Sequence, residues 1–225
     1  MKIKSIAAIC KRNKRVVLFN KYGAGGDLLA QYISNGGVVY PIFGLPELDA
    51  ESILTIFDVP EKDREKWFVK CAPMPEEINL EDTDEDEFPV EDGALSLIHT
   101  GIPLKPLRTR RGLVFIDSRY LSPMSDVLDV LGLYERATPY GSPYIVAKAG
   151  LMLQAAIMPR DVITSQFVEN MRELARECAV SLERRERERE QAAARAVAGD
   201  PTQCTFNVDA STGEVLDGES EAGEE

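Results

Sequence analysis

The side chains that could most readily do chemistry are basic ones near the start of the chain. Seven lysines and arginines come before the first acidic residue, Asp27, and four more come just before the segment that begins at Gly112. Basic side chains on turns contact phosphate groups without reading bases, so the pattern predicts salt-sensitive binding to DNA with little sequence preference. The predicted phosphate-binding residues are Lys11, Arg12, Lys14, Arg15, Lys21, Arg108, Arg110 and Arg111.

An alternative is that these charges only keep the protein in solution. No RNA-recognition, helix-turn-helix or zinc-finger motif accompanies them. A glycine-rich turn at residues 23–26 could approach a pyrophosphate, but the third glycine of a dinucleotide-binding motif is replaced by Leu28. The sequence also lacks a P-loop. Charge is therefore a better guide to function here than any nucleotide-binding motif.

Three further residue groups could support catalysis or metal binding. The acidic run at residues 81–87 lacks the spacing of an EF-hand loop, which favours an extended, solvated segment. The single histidine, His99, has no neighbouring Ser, Cys or Asp that would form a triad. The four cysteines contain no C-x-x-C pair and are expected to be reduced thiols. We therefore predict a non-enzymatic protein with no catalytic residue, metal ion or cofactor.

The charge is divided unevenly along the chain. Residues 76–92 carry ten carboxylates and residues 199–225 carry eight, and neither segment contains a lysine or arginine. Together the two segments carry a charge of −18. Because the formal net charge of the whole chain is −12, the rest of the chain carries +6. This distribution predicts a mildly basic folded body with an acidic loop and an acidic tail. No apolar run spans a bilayer and no signal sequence is recognisable, which predicts a cytoplasmic protein without a membrane partner.

The first half of the chain has the pattern of a strand meander. Strands are predicted at residues 3–10 and 15–20, then at 28–34 and 38–40, joined by an Asn-Gly turn at residues 35–36. A helix should follow, with Asp49 as its N-cap. Its inward-facing residues should be Ile53, Ile56 and Phe57, and a further strand is expected at residues 67–69.

The second half repeats strand signals around one predicted helix. A strand at residues 112–117 is followed by a helix at 120–131, and then by three strands at 133–138, 144–147 and 152–158. Residues 162–198 have the pattern of a long helix with an apolar stripe. The prediction is an α+β fold of antiparallel strands with two short helices, followed by a long C-terminal helix. Its parts are a domain at 1–160 with a disordered acidic loop at 76–94, a helical extension at 161–198 and a disordered acidic tail at 199–225.

Part of the second half resembles the half-repeat of DNA processivity clamps, also called sliding clamps. The resemblance rests on the order strand, helix and three strands, and on the sequences LVFID at residues 113–117, YLSPM at 120–124 and LQAAIMP at 153–159. Residues 3–70 could supply a second, rearranged half. The chain as a whole resembles small prophage proteins of Gram-positive bacteria. These resemblances imply a clamp-like fold and a role in phage replication or recombination, with DNA and replication proteins as partners.

Two functions remain open from the sequence. The first is a non-enzymatic, clamp-like or clamp-related factor whose basic turns face DNA phosphates. The second is a protein-interaction or assembly module that works through the helix at residues 162–198, including self-association through that helix. The two differ in the salt dependence of DNA binding, which only the first requires.

Overall fold

The computed structural model describes residues 2–93 and 95–197, together with two short strands at 207–208 and 215–216. It consists of two compact units, Met1–Val162 and Ile163–Glu225. The first unit contains two β-sheets with helices, and the second contains one long helix and a two-stranded pair. The predicted α+β class is confirmed.

The first unit is built on an eight-stranded sheet. The strands are β1 (Arg15–Tyr22), β2 (Leu28–Ser34), β3 (Val38–Ile42), β4 (Phe68–Pro73), β5 (Phe88–Pro89), β10 (Leu131–Ala137), β11 (Pro143–Ala149) and β12 (Met152–Ile157). Their spatial order is β4, β1, β2, β3, β12, β11, β10 and β5. In this sheet β1 and β4 pair in parallel, and every other neighbouring pair is antiparallel.

The chain begins with a helix rather than the strand predicted at residues 3–10. This helix, α1, spans Ile3–Asn13 and buries Ile6, Ile9 and Cys10. The sequence prediction followed the β-branched residues, but apolar positions at 3, 6, 7 and 10 have helical spacing. Packing of this apolar face against the sheet stabilises the helix, and an individual residue's strand preference is weaker than such packing.

The other predictions for the first half are largely confirmed. The β2 strand has the predicted bounds, and β2 and β3 form a hairpin around the Asn-Gly turn. Helix α2 (Ala50–Ile56) begins at Asp49, whose carboxylate accepts hydrogen bonds from the backbone N–H groups of Glu51 and Ser52. A short helix, α3 (Glu61–Arg64), follows it. Ile56 was expected to face inward but is exposed.

A second, smaller sheet was not predicted. Strand β8 (Ile102–Thr109) pairs with β9 (Gly112–Asp117) along one edge and with β6 (Glu91–Asp92) and β7 (Leu97–His99) along the other. The helix predicted at residues 120–131 is instead two 3-10 helices, Ser118–Met124 and Leu128–Val130. Pro123 lies inside the first of them, and proline removes a backbone donor that an α-helix needs.

Both faces of the large sheet are covered. One face packs against α1, α2 and the small sheet, with Leu18, Ile33 and Ile145 among its fully buried residues. On the opposite face, buried Tyr144 and Val146 lie beneath partly buried residues of the segment that follows β4. Those covering residues are Met74, Ile78 and Leu80.

The second unit contains helix α4, which spans Ser165–Val197. No side chain described in this helix is buried, and its charged half forms pairs such as Arg184 with Glu188 and Arg187 with Glu183. Among the described residues, no helix is both long enough and apolar enough to span a membrane. Most of the tail predicted at 199–225 lies outside the described residues. Within it, β13 (Asn207–Val208) pairs antiparallel with β14 (Val215–Leu216).

Candidate functional site

The end of α1 concentrates four of the predicted basic residues. The helix stops because Lys14 adopts a left-handed conformation with φ 47°, which reverses the chain directly into β1. Positive side chains are favourable here because the C-terminal end of a helix carries partial negative charge. We call this group the basic helix end, and it consists of Lys11, Arg12, Lys14 and Arg15.

The charges of the basic helix end are largely unpaired. Within the part of the chain that the structure describes, Lys11 and Arg12 form no ion pair. The guanidinium of Arg15 lies over the ring of Phe68, 4.8 Å from its centre, and this uncharged ring does not neutralise it. Lys14 is near Asp63, but Asp63 forms its ion pair with Lys66 at 2.6 Å. These four cationic side chains are therefore available to bind an external anion.

Next to the basic helix end is a cavity of about 310 Å³. It lies where the end of α1, the turn after β2, the start of β8, the end of β9 with the 3-10 helix after it, and the segment after β12 come together. Three arginines from distant parts of the sequence line it, one of which belongs to the basic helix end. We call it the arginine pocket, and its lining residues are Ile9, Arg12, Asn13, Asn35, Ile102, Asp117, Arg119, Tyr120 and Arg160.

Hydrogen bonds fix two of the three guanidinium groups. Arg119 donates from Nε and Nη2 to the two carboxylate oxygens of buried Asp117, at 2.7 and 2.5 Å. Arg160 Nη2 donates to the hydroxyl of Tyr120 at 3.1 Å and lies 3.9 Å from Asp117 Oδ2. The Nε atom of Arg160 is buried and has no hydrogen-bond partner in the described structure. Three guanidinium groups and one carboxylate give the pocket a formal charge of +2.

The remaining predicted residues are not part of this surface. Lys21 forms an ion pair with Glu81, whose hydrogen bond raises the pKa of Lys21. Arg110 and Arg111, in the turn between β8 and β9, both lie close to buried Glu135. Arg108 is exposed on β8 and forms no ion pair with any described residue.

Arg119 and Arg160 were missed by the sequence analysis. Arg119 follows Asp117 by two positions, which is compatible with a local ion pair but gives no sign of a pocket. Arg160 follows the last strand of the sheet and reaches the pocket only because its backbone N–H donates to Phe115 O at 2.7 Å. Their approach to the end of α1 depends on tertiary packing that residue spacing does not encode.

The acidic segment, residues 76–92, differs from the disordered loop predicted at 76–94. Its residues Ile78 and Leu80 pack on the sheet. Several of its carboxylates lie within ion-pair distance of bases in the body, namely Glu81, Asp84, Glu87 and Asp92. Asp82 accepts a hydrogen bond from the backbone N–H of Leu153 at 2.8 Å, and Asp92 forms an ion pair with Lys105 at 2.5 Å. The segment is ordered because burial of its apolar side chains and neutralisation of its charges oppose its self-repulsion.

Glu87 is the centre of this attachment. Its carboxylate accepts hydrogen bonds from Lys148 at 2.6 Å and from Arg136 at 2.6 and 3.1 Å. Arg136 is fully buried and also donates to the backbone carbonyls of Asn79 and Glu81. Burial acts to raise the pKa of Glu87, but the hydrogen bonds from the two bases outweigh it and leave the pKa below its ordinary value.

Acid should therefore destabilise the first unit through Glu87. Because its pKa is lowered on folding, its stabilising contribution is complete above the ordinary value of 4.5 and is lost as pH falls through the lower folded-state pKa. We expect the free energy of unfolding to decrease with acid more steeply in the natural protein than in Glu87→Gln. Urea unfolding between about pH 7 and pH 3 measures this difference. Glu85→Gln, at an exposed position, should keep the natural profile, and parallel profiles for the natural protein and Glu87→Gln would contradict the expectation.

A larger cavity, about 650 Å³, lies beside this network. Its walls contain Glu76, Glu77, Asp84, Asp86 and Glu135 together with Arg110, Arg111 and Arg136. The three arginines are already committed to protein partners, since Arg136 binds Glu87 and the other two approach Glu135. The cavity therefore offers an external anion fewer unpaired cations than the arginine pocket does.

The described residues do not form a recognisable catalytic centre. The glycine-rich turn at 23–26 joins two antiparallel strands rather than opening a helix at a pyrophosphate site. Burial raises the pKa of the Cys10 thiol to about 12, which keeps it protonated. No group of three or more His, Cys, Asp or Glu side chains in the described ranges could hold a metal ion. Comparison of the chain with protein-family models, curated proteins and solved structures found no match.

Proposed function

We propose that this chain is a non-enzymatic DNA-associated factor that binds the phosphate backbone through its first unit. The observation that carries the proposal is the convergence of the unpaired basic helix end with the arginine pocket. Phosphate is the anion that such a surface matches best, because guanidinium groups bind its oxygens with paired hydrogen bonds. Binding through phosphates would be nearly independent of base sequence.

The sheet topology supports a clamp-related version of this proposal. Strands β1, β2 and β3 form one antiparallel meander, β10, β11 and β12 form another, and the two meet where β3 pairs with β12. Each meander follows a helical segment, α1 in the first case and two 3-10 helices in the second. Two similar halves joined in one sheet are what the sequence resemblance to clamp half-repeats leads us to expect. We place this activity in the cytoplasm, in the replication or recombination of a phage or prophage, with replication proteins as partners.

Salt titration of DNA binding tests the proposal. Fluorescence anisotropy with labelled single-stranded and double-stranded oligonucleotides should show binding at about 50 mM salt. The cationic side chains of the basic helix end and the arginine pocket are Lys11, Arg12, Lys14, Arg15, Arg119 and Arg160. If all six contact phosphates, the affinity should fall about 1,000-fold by about 200 mM salt, and the logarithm of the affinity should change with the logarithm of salt concentration with a slope of about −5 on duplex DNA. Absence of binding at the lower salt concentration would refute the proposal.

A protein-interaction function through α4 is the second candidate. It is favoured by an apolar helix face whose members are spaced by four, three and four residues and are not buried in the structure. The apolar helix face consists of Phe167, Met171, Leu174 and Cys178. Its occupant could be a second copy of the chain or another protein. Met171→Glu combined with Leu174→Glu should abolish self-association in sedimentation velocity and leave DNA affinity unchanged, whereas loss of DNA affinity in this variant would connect the two candidates.

A further inference from the structure

We infer that the arginine pocket binds a terminal phosphate monoester of a nucleic acid, so that the protein prefers phosphorylated ends to internal positions. The inference rests on the proposed function, because it assigns a specific part of the DNA to a specific part of the basic surface. A 5′-phosphate and a 3′-phosphate are both terminal monoesters, so the pocket could accept either by the same chemistry. Oligonucleotides that carry one or the other distinguish them.

The charge of the pocket matches a monoester better than a diester. Asp117 accepts three hydrogen bonds from Arg119, one of them from its backbone N–H. The three arginines and one aspartate of the pocket give it a formal charge of +2. A phosphate monoester carries between about −1.5 and −2 at neutral pH, whereas an internal phosphodiester carries only one negative charge. The monoester therefore neutralises the pocket more completely.

The pocket also has hydrogen-bond donors that lack acceptors. A guanidinium has five N–H donors, and among the described residues the side chain of Arg160 makes one hydrogen bond, to Tyr120. The Nε atom is buried, but the side chain as a whole is 38% exposed, so N–H groups of its terminal nitrogens can donate to a bound oxygen. Arg119 is held in place by Asp117 and Arg160 by Tyr120, so these groups lose little conformational freedom when an anion binds.

The shape of the pocket favours a chain end. Its walls come from five separate segments: α1, the turn after β2, the start of β8, the end of β9 with the 3-10 helix that follows it, and the residues after β12. An internal phosphate is esterified on two oxygens, so the nucleic-acid chain has to leave the site in two directions. A terminal phosphate is esterified once and can enter a concave site from a single side. The rest of the nucleic-acid strand would then contact Lys11, Lys14 and Arg15, which are next to the pocket residues Arg12 and Asn13 in the sequence.

Oligonucleotides that differ only at their ends test the inference. We would measure the affinity of the protein for a labelled oligonucleotide of about 16 nucleotides in three forms, with a 5′-phosphate, with a 3′-phosphate or with hydroxyl groups at both ends. Each form would be tested as a single strand and as a duplex. One phosphorylated form should bind the full-length protein at least about tenfold more tightly than the hydroxyl form, as expected for additional charge-assisted hydrogen bonds. Which of the two forms gains affinity identifies the end that the pocket accepts.

Substitutions locate the effect. Arg160→Gln should remove the advantage of the phosphorylated end, and Arg12→Gln, at an exposed position, should do the same if Arg160→Gln does not fold. The matched control is Arg108→Gln, which removes an exposed arginine outside the pocket and should keep the advantage. Thermal melting confirms the folding of each variant.

Three results would overturn the inference. Equal affinity for phosphorylated and hydroxyl ends, with a steep salt dependence for both, would refute the end preference and leave the proposed function intact. An advantage that persists in Arg160→Gln and Arg12→Gln would place the terminal phosphate elsewhere. Failure of every oligonucleotide to bind at about 50 mM salt would refute the proposed function and this inference together.

Discussion

Replacing all four residues of the basic helix end with alanine is expected to weaken DNA binding about 100-fold at about 50 mM salt. The loss should be the same for unrelated DNA sequences, because phosphate contacts carry no sequence information. Each lost contact should also lower the salt dependence, so that the magnitude of the logarithmic slope decreases by about four. Fluorescence anisotropy at several salt concentrations measures the affinity and the slope in one series.

The control for this variant removes an equal charge elsewhere. Alanine replacement of Arg172, Arg176, Arg184 and Arg187 takes four positive charges from α4 and preserves a good helix former at each position. If affinity depends only on net charge, both variants lose it equally. If it depends on the basic helix end, the α4 variant keeps nearly natural affinity. An unaltered affinity in the first variant would instead show that the phosphate contact is made at Arg108 or is not made at all.

Arg136→Met is expected to destabilise the first unit by about 3–5 kcal/mol. The substitution preserves much of the side-chain volume but removes the Arg136 donor from the backbone carbonyls of Asn79 and Glu81. The Asn79 carbonyl keeps only a longer hydrogen bond from the Tyr144 hydroxyl, at 3.3 Å. It also leaves the carboxylate of Glu87 with Lys148 as its remaining base. Urea unfolding at neutral pH measures the loss, and limited proteolysis should show earlier cleavage within residues 76–87.

Two comparisons show whether this loss comes from the buried charges. Arg108→Met makes the same chemical change at an exposed position and should alter stability by less than about 0.5 kcal/mol. Adding Glu87→Met and Lys148→Met to Arg136→Met should recover part of the loss, because it removes all three charges of the buried network and leaves none of them without a partner. A loss below about 1 kcal/mol in Arg136→Met would show that the network contributes little to stability.

Local sequence signals predicted those parts of the fold that local interactions determine. The capping residue Asp49, the Asn-Gly turn and the hairpin of β11 and β12 all depend on residues close in the chain, and all are present. Strand β8 was missed because Pro103 and Pro106 lie within it, and proline normally argues against a strand. These prolines are tolerated in a small sheet in which β8 has only short partners along one edge.

Long-range contacts account for the larger errors. The acidic segment was expected to be extended because its carboxylates are adjacent and no base lies within it. The bases that neutralise Glu87 are 49 and 61 positions away, on β10 and β11, and their burial cannot be read from spacing. The same limitation applies to the candidate site. Proximity in the chain identified the basic helix end, whereas Arg119 and Arg160 join it only through tertiary packing.

The edges of the large sheet limit how this protein can assemble. An uncovered edge strand exposes backbone donors and acceptors that can recruit a strand from another molecule. Here one outer strand, β4, carries Lys70 and ends at Pro73, and the other, β5, has only two residues, the second of which is Pro89. Charge, proline and shortness all discourage edge-to-edge strand pairing. Polymerisation into a continuous intermolecular sheet is therefore disfavoured, and copies of the first unit that meet on DNA would associate through side chains rather than through shared backbone hydrogen bonds.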